Sequence, residues 1–149
     1  MDSLDALRER IEEKLAALLP AHSAIAQPML DAMRHAVLGG GKRMRPLFAC
    51  ASCEAFGGDV EPALTSGCAL EFIHSYSLIH DDLPAMDDDD IRHGKPATHI
   101  AYGEANAILA GDSLHSLAFQ AVVDSDTIDA QSKLSIIQLL SDAAGWAGM

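Results

Sequence analysis

Aromatic residues are scarce in this chain, at 5% of 149 residues. Strands draw on aromatic and β-branched side chains to cover a pleated face, so this shortage, set against abundant Ala and Leu, favours helix packed on helix. Bases are scarce as well. Ten Lys and Arg face 22 Asp and Glu, a formal net charge of −12, which argues against nucleic acid or an anionic membrane as partner. No apolar run approaches the roughly 18–20 residues needed to span a bilayer. The acidic start MDSLDALRERIEE also lacks the basic-then-apolar order of a signal peptide. A cytoplasmic location without a membrane anchor is therefore expected. Cysteine is limited to Cys50, Cys53 and Cys68, an odd number that argues against a disulfide framework. Cys50-Ala-Ser-Cys53 spells a CxxC, yet a zinc site would need a second ligand pair and a thioredoxin-type site a βαβ setting, so three ordinary buried helix thiols are expected. What the chain has in plenty is apolar side chain, 49% of its residues, enough for one sizeable core in a single domain over residues 1–149.

Hydrophobic spacing outlines an all-α protein. Leu4, Leu7, Ile11, Leu15 and Leu18 recur at helical spacing, with Asp2 or Ser3 as N-cap and Pro20 as stop. A second helix is predicted from Gln27, with Pro28 in its first turn, to the Gly39–Gly41 run. A third runs from Pro46 through Phe56, and a fourth from Pro62 to about Asp82, where Pro84 ends it and swings Asp87 back. A loop through Thr98, a helix over Glu104–Val123 and a last helix from about Thr127 complete the prediction.

Two stretches carry chemistry. His74 to His99 packs Asp81, Asp82, Asp87, Asp88, Asp89 and Asp90 into ten positions and follows them with Arg92, His93 and Lys95. Such crowding is costly without a counterion, and carboxylates at a helix C-terminus oppose the macrodipole. Hard oxygen ligands suit Mg²⁺, which bridges one or two carboxylates to substrate phosphates. A solvated acidic loop is the plain alternative. An EF-hand is excluded, since counting from Asp87 puts no glycine sixth and no glutamate twelfth. The second stretch is Gly39 to Pro46, GGGKRMRP. Consecutive glycines let backbone N–H groups approach an anion, while Lys42 and Arg45 supply a point charge and a bidentate fork. It is not a P-loop, because the GxxxxGK[ST] spacing is absent. A helix cap followed by solvated bases is its plain reading.

Together these stretches resemble a known family. Gly40-Gly41-Lys42-Arg43-Met44-Arg45-Pro46, Glu71-Phe72-Ile73-His74, His80-Asp81-Asp82-Leu83-Pro84-Ala85-Met86-Asp87 and the Gly94–His99 loop are similar to the amino-terminal half of trans-prenyl diphosphate synthases, most like bacterial farnesyl diphosphate synthases. The resemblance implies an isoprenoid-synthase-type helical bundle, here its amino-terminal half. It further implies Mg²⁺ held by Asp81, Asp87 and Asp82, with Arg92 on the diphosphate of an allylic substrate. Gly41, Lys42, Arg45 and His74 would hold isopentenyl diphosphate. The implied chemistry is ionisation of the allylic C–O bond, attack by the isopentenyl double bond and loss of a proton, giving farnesyl diphosphate. Geranyl or geranylgeranyl diphosphate synthase, or a non-catalytic prenyl-diphosphate-binding subunit, are the alternatives. Tyr76 and Ser77, one turn before Asp81, would face the growing tail and limit its length.

Two departures are visible. Arg92-His93 stands where the family has paired arginines; histidine is only partly charged near neutral pH, so weaker isopentenyl binding above about pH 7 is expected. The family's second aspartate-rich motif lies in a carboxy-terminal half that has no counterpart here. The chain is thus read as a truncated enzyme, inactive alone, whose uncovered apolar faces drive self-association or dimerisation.

Overall fold

A computed structural model describes residues 4–148. Seven helices and one minimal hairpin make up the described residues: α1 (Leu4–Leu18), α2 (Gln27–Leu38), α3 (Met44–Ala55), α4 (Val60–Asp81), β1 (Ile91–Arg92), β2 (Lys95–Pro96), α5 (Thr98–Tyr102), α6 (Glu104–Val123) and α7 (Ala130–Ala144). The all-α prediction holds.

The bundle is built around α4. Its buried residues, Leu64, Cys68, Ala69, Phe72 and Ile79 among them, leave no consistently polar face, as suits a helix enclosed by neighbours. It packs chiefly on α6 and α3, with α1, α2 and α7 completing the surround. Small residues set the close approach to α6. A Cβ on Gly111 would lie 2.2 Å from Nε2 of His80, so only glycine admits that ring. Ile11 and Leu15 of α1 and Met33 and Val37 of α2 fill the remaining core.

Caps explain where helices begin. Asp59 accepts a hydrogen bond from the Glu61 amide at 3.1 Å, which starts α4 at Val60 and places Pro62 inside the first turn rather than at its opening. Asp129 accepts from the amides of Gln131 and Ser132, so α7 starts at Ala130 and not at Thr127. α3 begins at Met44, two residues before Pro46. The N-cap expected at Asp2 or Ser3 lies outside the described residues. The segment predicted as a plain loop to Thr98 contains β1, β2 and α5: Ile91 pairs with Pro96 and Arg92 with Lys95, around a two-residue turn at His93 (φ 53°) and Gly94 (φ 76°). Positive φ at both positions defines a type I′ turn.

Candidate functional site

The GGGKRMRP stretch leaves the end of α2 and turns into α3 with Gly40, Gly41 and Arg43 all at positive φ, of which only Arg43 (φ 51°) is not glycine. A left-handed arginine costs about 1–2 kcal/mol, and its side chain offsets that. Arg43 Nε donates to Glu12 Oε1 at 2.5 Å and Nη2 to Glu12 Oε2 at 3.0 Å; Nη1 donates to Glu71 Oε1 at 3.1 Å and Nη2 to the Val37 carbonyl at 2.7 Å. Although it forms part of a cavity wall, Arg43 is buried and turns four of its five N–H groups to partners inside the protein. Its neighbours do the opposite. Lys42 and Arg45 are exposed and border an open cavity of about 660 Å³, together with Gly41, Glu71, His74 and His93. Five predicted substrate residues therefore converge on one cavity, brought there by the α2–α3 loop, by α4 and by the hairpin turn.

His74 is half-buried, and its imidazole is pushed below the ordinary histidine value, first by burial and then by Arg45, with His93 and Arg92 adding to the effect against an opposing pull from Glu71. A neutral ring flanked by cations is poised to become charged when an anion arrives.

The acidic run folds back on the end of α4. The Asp87 amide donates to the Asp81 carbonyl at 2.8 Å and the Asp89 amide to the Asp82 carbonyl at 3.2 Å, the return that Pro84 was expected to impose. Asp81 is half-buried and Asp87 exposed. Asp82 differs from both: it is 2% exposed, and its carboxylate accepts from Arg92 Nε at 3.0 Å and from Arg92 Nη2. Arg92 also reaches Asp89 at 3.4 Å. Asp82, grouped by resemblance with the metal carboxylates, is thus turned inward onto Arg92. Among the described residues no group of three or more Asp, Glu, His or Cys forms a ready metal cage. The donor chemistry at Asp81 and Asp87 still fits Mg²⁺, which keeps several waters and takes only one or two carboxylates alongside substrate phosphate.

Tyr76 lies edge-on to His115 (ring centroids 4.9 Å) and to His80 (5.6 Å), and His115 in turn meets Phe119. His115 and Phe119, an i, i+4 aromatic pair on α6, were not singled out from the sequence, although that spacing was their signal. Ser77 points the other way, donating to the His74 carbonyl at 2.9 Å and lining a groove between α4 and α7 with Leu70, Ile73 and Leu140. Tyr76 and Ser77 thus border different surroundings. The cysteines form no site: Cys50 and Cys68 are buried, burial pushes the Cys68 thiol up to about 12, and the half-buried Cys53 hydrogen-bonds the Asp59 carbonyl at 3.1 Å.

Residues 26–146 match the Polyprenyl synthetase family. The chain is 43% identical over 148 residues to a farnesyl diphosphate synthase of Haemophilus influenzae, covering 99% of this chain and 50% of that protein. It is 45% identical over 139 residues to the small subunit of a heterodimeric geranylgeranyl pyrophosphate synthase of Arabidopsis thaliana, covering 93% of this chain and 42% of that one. Among solved structures, an FPP/GFPP synthase of Zymomonas mobilis superposes with TM-score 0.92 at 44% identity, covering 97% of this chain and 52% of that one. The chain spans about half the length of the curated relatives it matches.

Proposed function

This chain belongs to the polyprenyl synthetase family, and from that premise we propose that it carries the isopentenyl-diphosphate half of a Mg²⁺-dependent prenyl transfer that condenses isopentenyl diphosphate with dimethylallyl or geranyl diphosphate to farnesyl diphosphate. The observation that supports this is the cavity where Lys42, Arg45, His74 and His93 meet around Gly41. Lys42 and Arg45 grip the isopentenyl diphosphate, Arg45 as a fork. His74 donates a hydrogen bond to it, and the positive-φ backbone at Gly41 lets the phosphate come close. On the same helix, Asp81 is seven residues on from His74, about 10 Å along the axis at 1.5 Å per residue, so one rigid element spaces the two substrates.

Asp81 and Asp87 would hold the Mg²⁺, which supplies charge neutralisation to the allylic diphosphate. Arg92 adds a guanidinium to the same diphosphate once that group competes it away from Asp82. The allylic C–O bond then breaks with its electron pair on the diphosphate, the isopentenyl π bond attacks the cation, and the new cation loses a proton to the released diphosphate. Tyr76, with His115 and Phe119 beside it, limits the tail.

Large apolar side chains left exposed on α5, α6 and α7, among them Ile100, Ile108, Leu109, Leu134 and Leu139, support self-association as a homodimer or fragment assembly. No helix among the described residues is long and apolar enough to cross a membrane.

The testing experiment is a Mg²⁺-dependent elongation assay paired with calorimetric titration of isopentenyl diphosphate. The 149-residue chain is expected to bind isopentenyl diphosphate without turnover; joined to the carboxy-terminal half of a relative, it is expected to make a C15 product. A C20 product would move the assignment to geranylgeranyl diphosphate. Failure to bind isopentenyl diphosphate would overturn the reading.

A further inference from the structure

Arg43 has no part in the chemistry proposed above, yet it is the most heavily bonded side chain near the cavity. Four of its N–H groups are used, on partners from three helices: Glu12 of α1, Glu71 of α4 and the carbonyl of Val37 in the last turn of α2. A Cβ on Gly41, which has φ 134°, would lie 3.5 Å from Arg43 Nη1, so the loop backbone that borders the cavity passes close to this guanidinium. Lys42 and Arg45 flank it in sequence, and among the described residues neither makes an ion pair that would place it otherwise. Their position relative to His74 is therefore set by the clip beneath them.

We propose that Arg43 and Glu12 are positioning residues for isopentenyl diphosphate: the clip they form with Glu71 holds the loop so that Lys42 and Arg45 stand on the rim of the cavity opposite His74. Helix α1 lines no part of the cavity, and Glu12 precedes the residues matched by the family, but through this clip α1 governs substrate affinity. The inference rests on the isopentenyl-diphosphate reading of the cavity. Glu71, which lines the same cavity, holds Arg43 through one carboxylate oxygen, while its Oε2 is buried without a hydrogen-bond partner.

The test is calorimetric titration of isopentenyl diphosphate into the whole chain. Arg43→Ala breaks a buried contact with Glu71 and a half-exposed one with Glu12 and is prone to misfold, so Glu12 is the better target. Its side chain is 44% exposed, and alanine is favoured in a helix. Glu12→Ala is expected to weaken isopentenyl diphosphate binding by about tenfold while the chain stays folded by circular dichroism, and Glu12→Gln, which keeps one acceptor, to recover about half of the loss on a logarithmic scale. In a Lys42→Ala background the effect of Glu12→Ala should shrink to about threefold or less, because the group it positions is gone. A purely structural role would leave the two effects additive. Unchanged affinity in Glu12→Ala, or full additivity with Lys42→Ala, overturns the inference and leaves the site assignment standing. An unmodified chain that does not bind isopentenyl diphosphate overturns both.

Discussion

Gly67 offers a sharp test of how the scaffold fixes the site. It lies in the middle of α4, buried, where replacement by alanine would gain about 1 kcal/mol from helix propensity alone. The packing reverses that sign. A Cβ at this position would sit 2.7 Å from Pro46 Cα and 2.9 Å from Pro46 Cβ, about 1 Å short of the usual carbon–carbon contact of about 3.5–4.0 Å. The obstacle is backbone in the first turn of α3, not a flexible side-chain end, so α3 must move as a unit. Overpacking of this kind costs about 1–3 kcal/mol; less the propensity gain of about 1 kcal/mol, Gly67→Ala should destabilise by up to about 2 kcal/mol. At about 2–4 °C per kcal/mol for a chain of this size, the upper value corresponds to a fall of about 4–8 °C in Tm. The displacement also has a functional reading, since Pro46 follows Arg45 directly and His74 is seven residues on from Gly67 along α4. Pushing α3 from α4 widens the cavity between Arg45 and His74, and affinity for isopentenyl diphosphate should drop about tenfold. Urea unfolding and titration on the same preparation measure both. A variant more stable than the unmodified chain, with unchanged affinity, would show that the α3–α4 contact is not tight and refute the reasoning.

Three further outcomes are expected. Because the folded chain holds the proton on His74 less readily than the unfolded chain, the stability tied to its neutral ring is present above the unfolded value of about pH 6.5 and lost as pH falls below it through the lower folded value; urea unfolding of His74→Gln against the unmodified chain should show a shallower loss below pH 6.5, and parallel curves would count against the assignment. His93→Arg keeps a guanidinium charge on the cavity rim at any working pH, and should lower the Kd for isopentenyl diphosphate at pH 8 by about fivefold, equivalent to about 1 kcal/mol; an unchanged Kd removes His93 from the phosphate site. Tyr76→Ala opens the wall formed with His115 and Phe119, and in the chain joined to the carboxy-terminal half of a relative, mass analysis of the elongation product should show added five-carbon units, whereas an unchanged C15 product would clear Tyr76 of that role.

The helices were legible where an apolar stripe has a clear period and a clean stop: α1, α2 and α6 run as spacing predicts, α6 from Glu104 to Val123. The starts of α4 and α7 were misread for one shared reason. Pro62 and Thr127 drew attention as openers, but the aspartates at 59 and 129, whose carboxylates accept first-turn amides, decide the boundary. The hairpin could not be read at all, since strands of two residues carry no alternation and His93-Gly94 is not one of the usual type I′ pairs. At the candidate site, residue types pointed to Lys42, Arg45 and the aspartates, and the family resemblance to His74. They could not reveal that Arg43 meets Glu12 and Glu71, which lie 31 and 28 residues away, or that Asp82 is claimed by Arg92. Pairings of that separation are products of the fold.

Those pairings resolve an apparent contradiction in the charge. A chain with 22 acids and ten bases is a poor general host for diphosphates, yet the proposed site gathers Lys42 and Arg45 at one cavity. The difference lies in which cations are neutralised. Arg43 is bonded to two glutamates and Arg92 to two aspartates, so each spends its charge inside the protein and fixes a loop. Lys42 and Arg45 have no ion-pair partner among the described residues, and their charge is open to a ligand. The two loops then differ in what a ligand must do. At the α2–α3 loop the free cations are already in place, so isopentenyl diphosphate has no internal ion pair to break. At the aspartate-rich loop a diphosphate must compete with Asp82 for Arg92, and it can do so only when cation charge accompanies it to Asp81 and Asp87. Binding at the second position should therefore depend steeply on Mg²⁺, whereas binding at the first should not.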